Sequence, residues 1–113
     1  MKTKPNKDFE LFKREFKKWQ TRFGLNGYQV YFYHEDIGDC FATITVTQAK
    51  RVASARLDTK KSADCNIKKS AKHEALHLLC AKLQDCAIKR YTSEEEILES
   101  DEELVVRLQG LIE

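Results

Sequence analysis

Phe9, Phe12, Phe16, Trp19 and Phe23 recur at three- and four-residue steps in NKDFELFKREFKKWQTRFG, which predicts a helix with one apolar stripe. Asn6 or Asp8 can cap its start, and Gly24 ends it. The pattern then changes period. GYQVYFYHED is rich in aromatic and β-branched residues and predicts a strand over about 28–34. CFATITVTQ alternates, with Ala42, Ile44 and Val46 on one side and Thr43, Thr45 and Thr47 on the other. KRVASARLDT alternates again through Ala53, Ala55 and Leu57, and the short link at Gln48 to Lys50 predicts a hairpin between the two. From Ser62 or Asp64 the helical period returns. Ile67, Ala71, Ala75, Leu78, Leu79 and Leu83 share a face to about residue 87. A last helix begins after Ser93, with acids in its first turn and Ile97, Leu104, Val105, Leu108, Leu111 and Ile112 on one face.

The order is helix, three strands, helix, helix. It predicts an α+β fold: an N-terminal helix, a small, mainly antiparallel three-stranded sheet, and two further helices. At 113 residues, with four glycines and one proline and no linker or repeat, residues 1–113 are expected to form one domain. Apolar residues make up 42% of the chain and charged ones 34%, which suits a globular protein. No apolar run approaches ~18 residues, so no membrane span is expected. The segment MKTKPNKDFELFK lacks the apolar region of a signal peptide, and a cytoplasmic protein is the default expectation.

Charge is polarised although its net value is only +2. Residues 1–22 carry eight Lys/Arg and three acids, and residues 94–113 carry eight acids and one Arg. A basic first helix can touch nucleic acid or an acidic partner, but a solvated face is the plainer reading of such charge. The four cysteines, Cys40, Cys65, Cys80 and Cys86, form no CxxC pair, which argues against a zinc ribbon, and are expected to be reduced.

One stretch carries chemistry. KHEALHLLC holds two of the chain's three histidines as His73-Glu74-Ala75-Leu76-His77, an HExxH motif inside a predicted helix with no breaker. Residues i and i+4 lie one above the other on a helix, so His73 and His77 can aim two imidazoles at one metal ion. Glu74 points to the side, where it can take a proton from a water on the metal and pass it to a leaving amine. The plain alternative is a pair of histidines satisfied in a core with Glu74 exposed. Against it, burying three polar groups in an apolar face without a role costs several kcal/mol.

With this motif, the element order resembles a minimal zincin. Over roughly residues 9–112 it is similar to the short phage and bacterial metallopeptidases of the SprT-like and ImmA/IrrE-like groups, with HEALH the only sharp motif. The resemblance implies a Zn2+-dependent peptidase with Glu74 as general base and His73 and His77 as ligands. The implied substrate is an extended protein segment, possible targets including a repressor or other regulator. In those families the strand before the HExxH helix borders the substrate cleft, which here is Ala53 to Thr59. SprT-like proteins draw a third ligand from a later histidine, and none follows His77. ImmA/IrrE-like proteins use a glutamate on a later helix, and ESDEELVV, residues 99–106, offers candidates.

At about 100° per residue, Asp101 falls near the middle of the last helix's apolar face, Glu102 roughly 110° away, and Glu103 on the opposite side. Helix geometry thus favours Asp101, family habit favours Glu102, and Glu94, one heptad before Asp101, is a weaker candidate. His34 at a strand end is expected at the surface, and Cys80, three residues after His77, would close a structural site if it joined the metal. Tyr28, Tyr31, Tyr33 or Tyr91 could steady an oxyanion. The competing function is a non-catalytic module of zincin shape, binding nucleic acid or a protein through the basic first helix. Glu74 discriminates, because a purely structural metal site has no use for it.

Overall fold

A computed structural model describes residues 3–38, 41–59, 66–89 and 91–111, with side chains from residue 7 onward. Helix α1 spans Thr3–Arg22, strands β1, β2 and β3 span Gln29–Glu35, Ala42–Thr47 and Val52–Asp58, and helices α2 and α3 span Ile67–Ile88 and Glu94–Gln109. A single 3-10 turn, Gln48–Lys50, joins β2 to β3. The protein has the α+β fold that its periodicities predict. None of the described helices is long and apolar enough to cross a membrane.

Helix α1 starts earlier than the caps at Asn6 or Asp8 would place it, and it ends as expected. Gly24 takes φ +73, a left-handed conformation that costs glycine nothing, and the Leu25 amide closes on the Gln20 carbonyl at 2.9 Å. The predicted caps of α2 at Ser62 and Asp64 lie outside the described residues. Asn66 is the cap there, its side chain accepting from the Lys69 amide at 3.0 Å. At α3 Ser93 and Glu96 form a reciprocal capping box.

The sheet is mixed rather than mainly antiparallel. Its order is β1-β3-β2, with β1 parallel and β2 antiparallel to β3. The β2–β3 pair is the expected hairpin, and β3 then inserts between β2 and β1. Burial explains the placement. Ala53, Ala55 and Leu57 of β3 are at most 1% exposed, whereas β1 and β2 keep half-open inner faces, so the strand with the smallest, driest inner residues lies at the centre. The register lines up Phe32, Ala55 and Ile44 in one inward row, and Val30, Ala53 and Val46 in the next. On the outer face Arg56 pairs with Glu35 at 2.9 Å.

Both long helices pack on the inner face. Phe12 and Phe16 of α1 meet Phe32 edge-on, with ring centroids 6.3 and 5.4 Å apart. Ala71, Ala75 and Leu78 of α2 are fully buried, and this helix lies along β2. Helix α3 folds back on α2 through Ser100, which is buried against Cys86 with a 3.3 Å Oγ–Sγ contact, and through Glu103, which accepts from Lys82 at 2.8 Å. Leu104, Leu108 and Leu111 pack on the core, but Ile97 and Val105 are exposed, so the predicted single apolar face of α3 is split. Ile112 lies outside the described residues.

Candidate metal centre and cleft

The cap at Asn66 and the apolar positions Ile67, Ala71, Ala75 and Leu78 fix how α2 is rotated against the sheet. That rotation matches neither the plain alternative of buried histidines and an exposed acid nor the expectation that all three polar groups are buried. His73 and His77 are exposed, and Glu74 is 6% exposed. The two imidazoles stand one helical turn apart, with ring centroids 4.8 Å apart and planes at 83°. Neither ring makes a hydrogen bond to any other described residue. Burial pushes the Glu74 carboxyl up to about 7, and no cation or hydrogen bond among the described residues offsets it.

All three side chains line one open cleft of about 470 Å³ between α2 and β2. Ala42, Thr43, Ile44, Val46 and Gln48 form the strand wall, and Ala81, Gln84 and Asp85 continue the helix wall beyond His77. A second concavity continues past His73 along Phe41, Lys69 and Ser70. The strand that borders the cleft is therefore β2. The expectation that Ala53 to Thr59 would border it is corrected, because β3 is hydrogen-bonded on both sides and cannot accept a further strand. β2 carries a free edge among the described residues.

The histidine pair presents two open imidazoles one helical turn apart beside the cleft, a donor set that could hold a metal ion. A third protein ligand is not gathered with it: among the described residues no group of three His, Cys, Asp or Glu side chains converges. Asp101 and Glu102 are both exposed. They sit on α3 near the level of Cys86 and Lys82, five to nine residues along α2 from His77, or about 8–13 Å of helix rise. Glu94 is exposed farther still toward the α3 start. The α3 acid that turns toward α2 is Glu103, which Lys82 and Arg107 engage at 2.8 and 2.6 Å and hold below the usual carboxylate range. The helical wheel put it on the far side.

The remaining candidates separate clearly. His34 points into the fold, stacked on Phe9 with ring centroids 4.9 Å apart, and its Nε2 is buried without a hydrogen bond. β1, which carries it, is at the opposite edge of the sheet from the cleft. Cys80 is exposed and joins no metal-binding group among the described residues. Of the tyrosines, Tyr31, Tyr33 and Tyr91 are exposed away from the cleft lining. Tyr28 is buried and donates its hydroxyl to Gln48 Oε1 at 2.8 Å. Gln48, Gln84 and Asp85 were not legible as site residues. They enter only because β2 runs alongside α2, a tertiary fact without a local signal.

No family model matches the chain, and neither the curated proteins nor the solved structures include one with significant similarity to it.

Proposed function

We propose that this protein is a zinc-dependent peptidase acting on extended protein segments, with Glu74 as the group that moves the proton. One observation carries this reading: a buried carboxylate and two open imidazoles line the same cleft, which runs along a strand edge left free among the described residues. A carboxyl left without a compensating partner is costly in a merely structural helix and is common at working sites.

His73 and His77 would hold the zinc, which when bound supplies Lewis acidity toward the scissile carbonyl and toward water. Glu74, whose carboxyl burial lifts to about 7 without metal, would take a proton from the attacking water and return it to the leaving amine, a bound cation favouring its carboxylate form. The edge of β2 can hold the substrate backbone by strand addition, which keeps the reacting bond beside α2. An acid of α3 as third ligand, Asp101 or Glu102, requires α3 to move from its described position. A regulator or repressor segment in the cytoplasm suits the family resemblance as substrate.

The test is metal content by mass spectrometry, paired with cleavage of an unfolded reporter protein. Wild type should carry about one zinc and cleave, His73→Ala should lose both properties, and Glu74→Gln should keep zinc while losing activity. A wild type that takes up no zinc on titration sinks the proposal. Salt-sensitive binding of DNA in a protein without cleavage would instead favour the module reading through the basic face of α1.

A further inference from the structure

The cleft is longer than the motif and its two ends differ in charge. Phe41 and Ala42, at the start of β2, line the end that holds Lys69 and Ser70 of α2. With Phe41 and Ala42 at the Lys69 end, the other end of β2, at Gln48, lies toward Gln84 and Asp85 in the same cleft. One end therefore presents an ammonium and the other a carboxylate already paired with Lys89, with His73, Glu74 and His77 between them. Lys69 makes no ion pair among the described residues. Asp85 pairs with Lys89 one turn on at 3.2 Å, with both side chains at least one-third exposed, an arrangement weak enough for a ligand cation to displace.

An extended chain added to the free edge of β2 pairs slightly better antiparallel than parallel. In that direction its N-terminal part lies toward Gln48 and Asp85, and its C-terminal part toward Phe41 and Lys69. Lys69 precedes the middle of the HExxH motif by six residues and Asp85 follows it by ten, about 9 and 15 Å of helix rise. At about 3.4 Å per residue, these spans correspond to roughly three and four residues of extended peptide.

Resting on the peptidase reading, we propose that the cleft selects its substrate by charge polarity. A basic side chain about four residues before the reacting bond sits against Asp85, and an acidic one about three residues after it sits against Lys69. Gln48 and Gln84 supply neutral hydrogen-bonding groups beside the basic side chain.

The test uses the zinc-loaded Glu74→Gln protein and two fluorescent decapeptides of identical composition. One carries Arg near its N-terminus and Glu near its C-terminus, and the other has them exchanged. Anisotropy titration at low salt should show the first binding about tenfold tighter, and the double variant Asp85→Lys, Lys69→Glu should reverse the order. The single variants Asp85→Asn and Lys69→Gln, at exposed or half-exposed positions, should each remove part of the preference while circular dichroism stays unchanged. Equal binding of the two peptides, or a preference that the charge reversal leaves intact, overturns the inference. Wild-type cleavage assays separate the two proposals. Cleavage without charge preference defeats this inference alone, whereas charge-dependent binding without cleavage defeats the peptidase reading and leaves the polarised cleft standing.

Discussion

Tyr28 donates its hydroxyl to Gln48 Oε1 at 2.8 Å, across twenty residues of sequence. The bond ties the buried end of the α1–β1 connection to the 3-10 turn that follows β2. It also uses the amide oxygen of Gln48, so the side chain presents its Nε2 donors to the cleft it lines. Tyr28→Phe should remove the constraint while filling the same space. We expect a stability loss of about 1 kcal/mol in urea denaturation. On a peptide substrate KM should rise several-fold with kcat nearly unchanged, as for a group that orients substrate and takes no part in the chemistry. A kcat that falls as steeply as kcat/KM would assign Gln48 a part in the chemical step.

Metal retention should follow the two histidines. His73→Ala and His77→Ala should each weaken zinc binding by more than about a hundredfold, since each removes half of the protein's imidazole clamp. Asp101→Ala and Glu102→Ala should change it by less than about threefold, because both acids are exposed near the level of Lys82 and Cys86. Competition with a chromogenic chelator measures all four. Loss of zinc in either acid variant would mean that α3 slides and turns on metal binding, carrying that residue toward His77.

The α3 acids show where reading from sequence stops. A period of 3.6 identified α1 and α2 because Phe12, Phe16, Ala71, Ala75 and Leu78 all bury on the face that the pattern marks. In α3 the same reasoning centred the packed face near Asp101. The contact face instead runs through Ser100, Glu103 and Leu104, held by specific partners: the Cys86 thiol, the Lys82 ammonium and, one turn on, the Gly24 carbonyl, to which Arg107 donates at 3.2 Å. Ile97, Leu98, Val105 and Val106 are left exposed, against a rule that counts only apolar positions. Strand order was hidden for a related reason. Alternation tells which side of Ala53, Ala55 and Leu57 faces the core, and nothing in it says that β3 has β1 as its second neighbour. HEALH was legible because its geometry is local to one helix, whereas Gln48, Gln84 and Asp85 depend on which strand lies beside that helix.

The alanines of β3 and α2 should resist enlargement. Ala55 is 0% exposed, is centred between Phe32 and Ile44 in the register, and lies under the helices. Ala55→Leu adds three carbons where no space exists and should destabilise by about 1–3 kcal/mol. A matched change at Thr45, exposed on the outer face of β2, should stay within about 0.5 kcal/mol. Thermal unfolding of the two variants compares them directly. An Ala55→Leu protein as stable as wild type would mean that the inner layer is looser than described.

Glu74 should make the metal-free protein less stable as pH rises. Burial lifts its carboxyl from 4.5 to about 7 in the folded chain, whereas the unfolded chain keeps the ordinary value. Between these two values the folded state holds a proton that the unfolded state has released, so unfolding becomes easier with increasing pH. The stabilising contribution is complete below pH 4.5 and is lost as pH passes through about 7. A shift of this size corresponds to roughly 3 kcal/mol undiminished, and screening by water in the open cleft should reduce it to about 1–2 kcal/mol. Glu74→Gln stays neutral throughout. It should match wild type near pH 4.5 and exceed it in stability at pH 8, with the difference growing across that window. Urea denaturation in the presence of a chelator, run on both proteins from pH 4.5 to 8, gives this difference free of every other titrating group. A difference that stays flat with pH would show that the carboxylate is solvated in the folded state. Repeating the series with zinc then reports on the clamp itself, because a cation held by His73 and His77 favours the charged carboxylate and should flatten the slope.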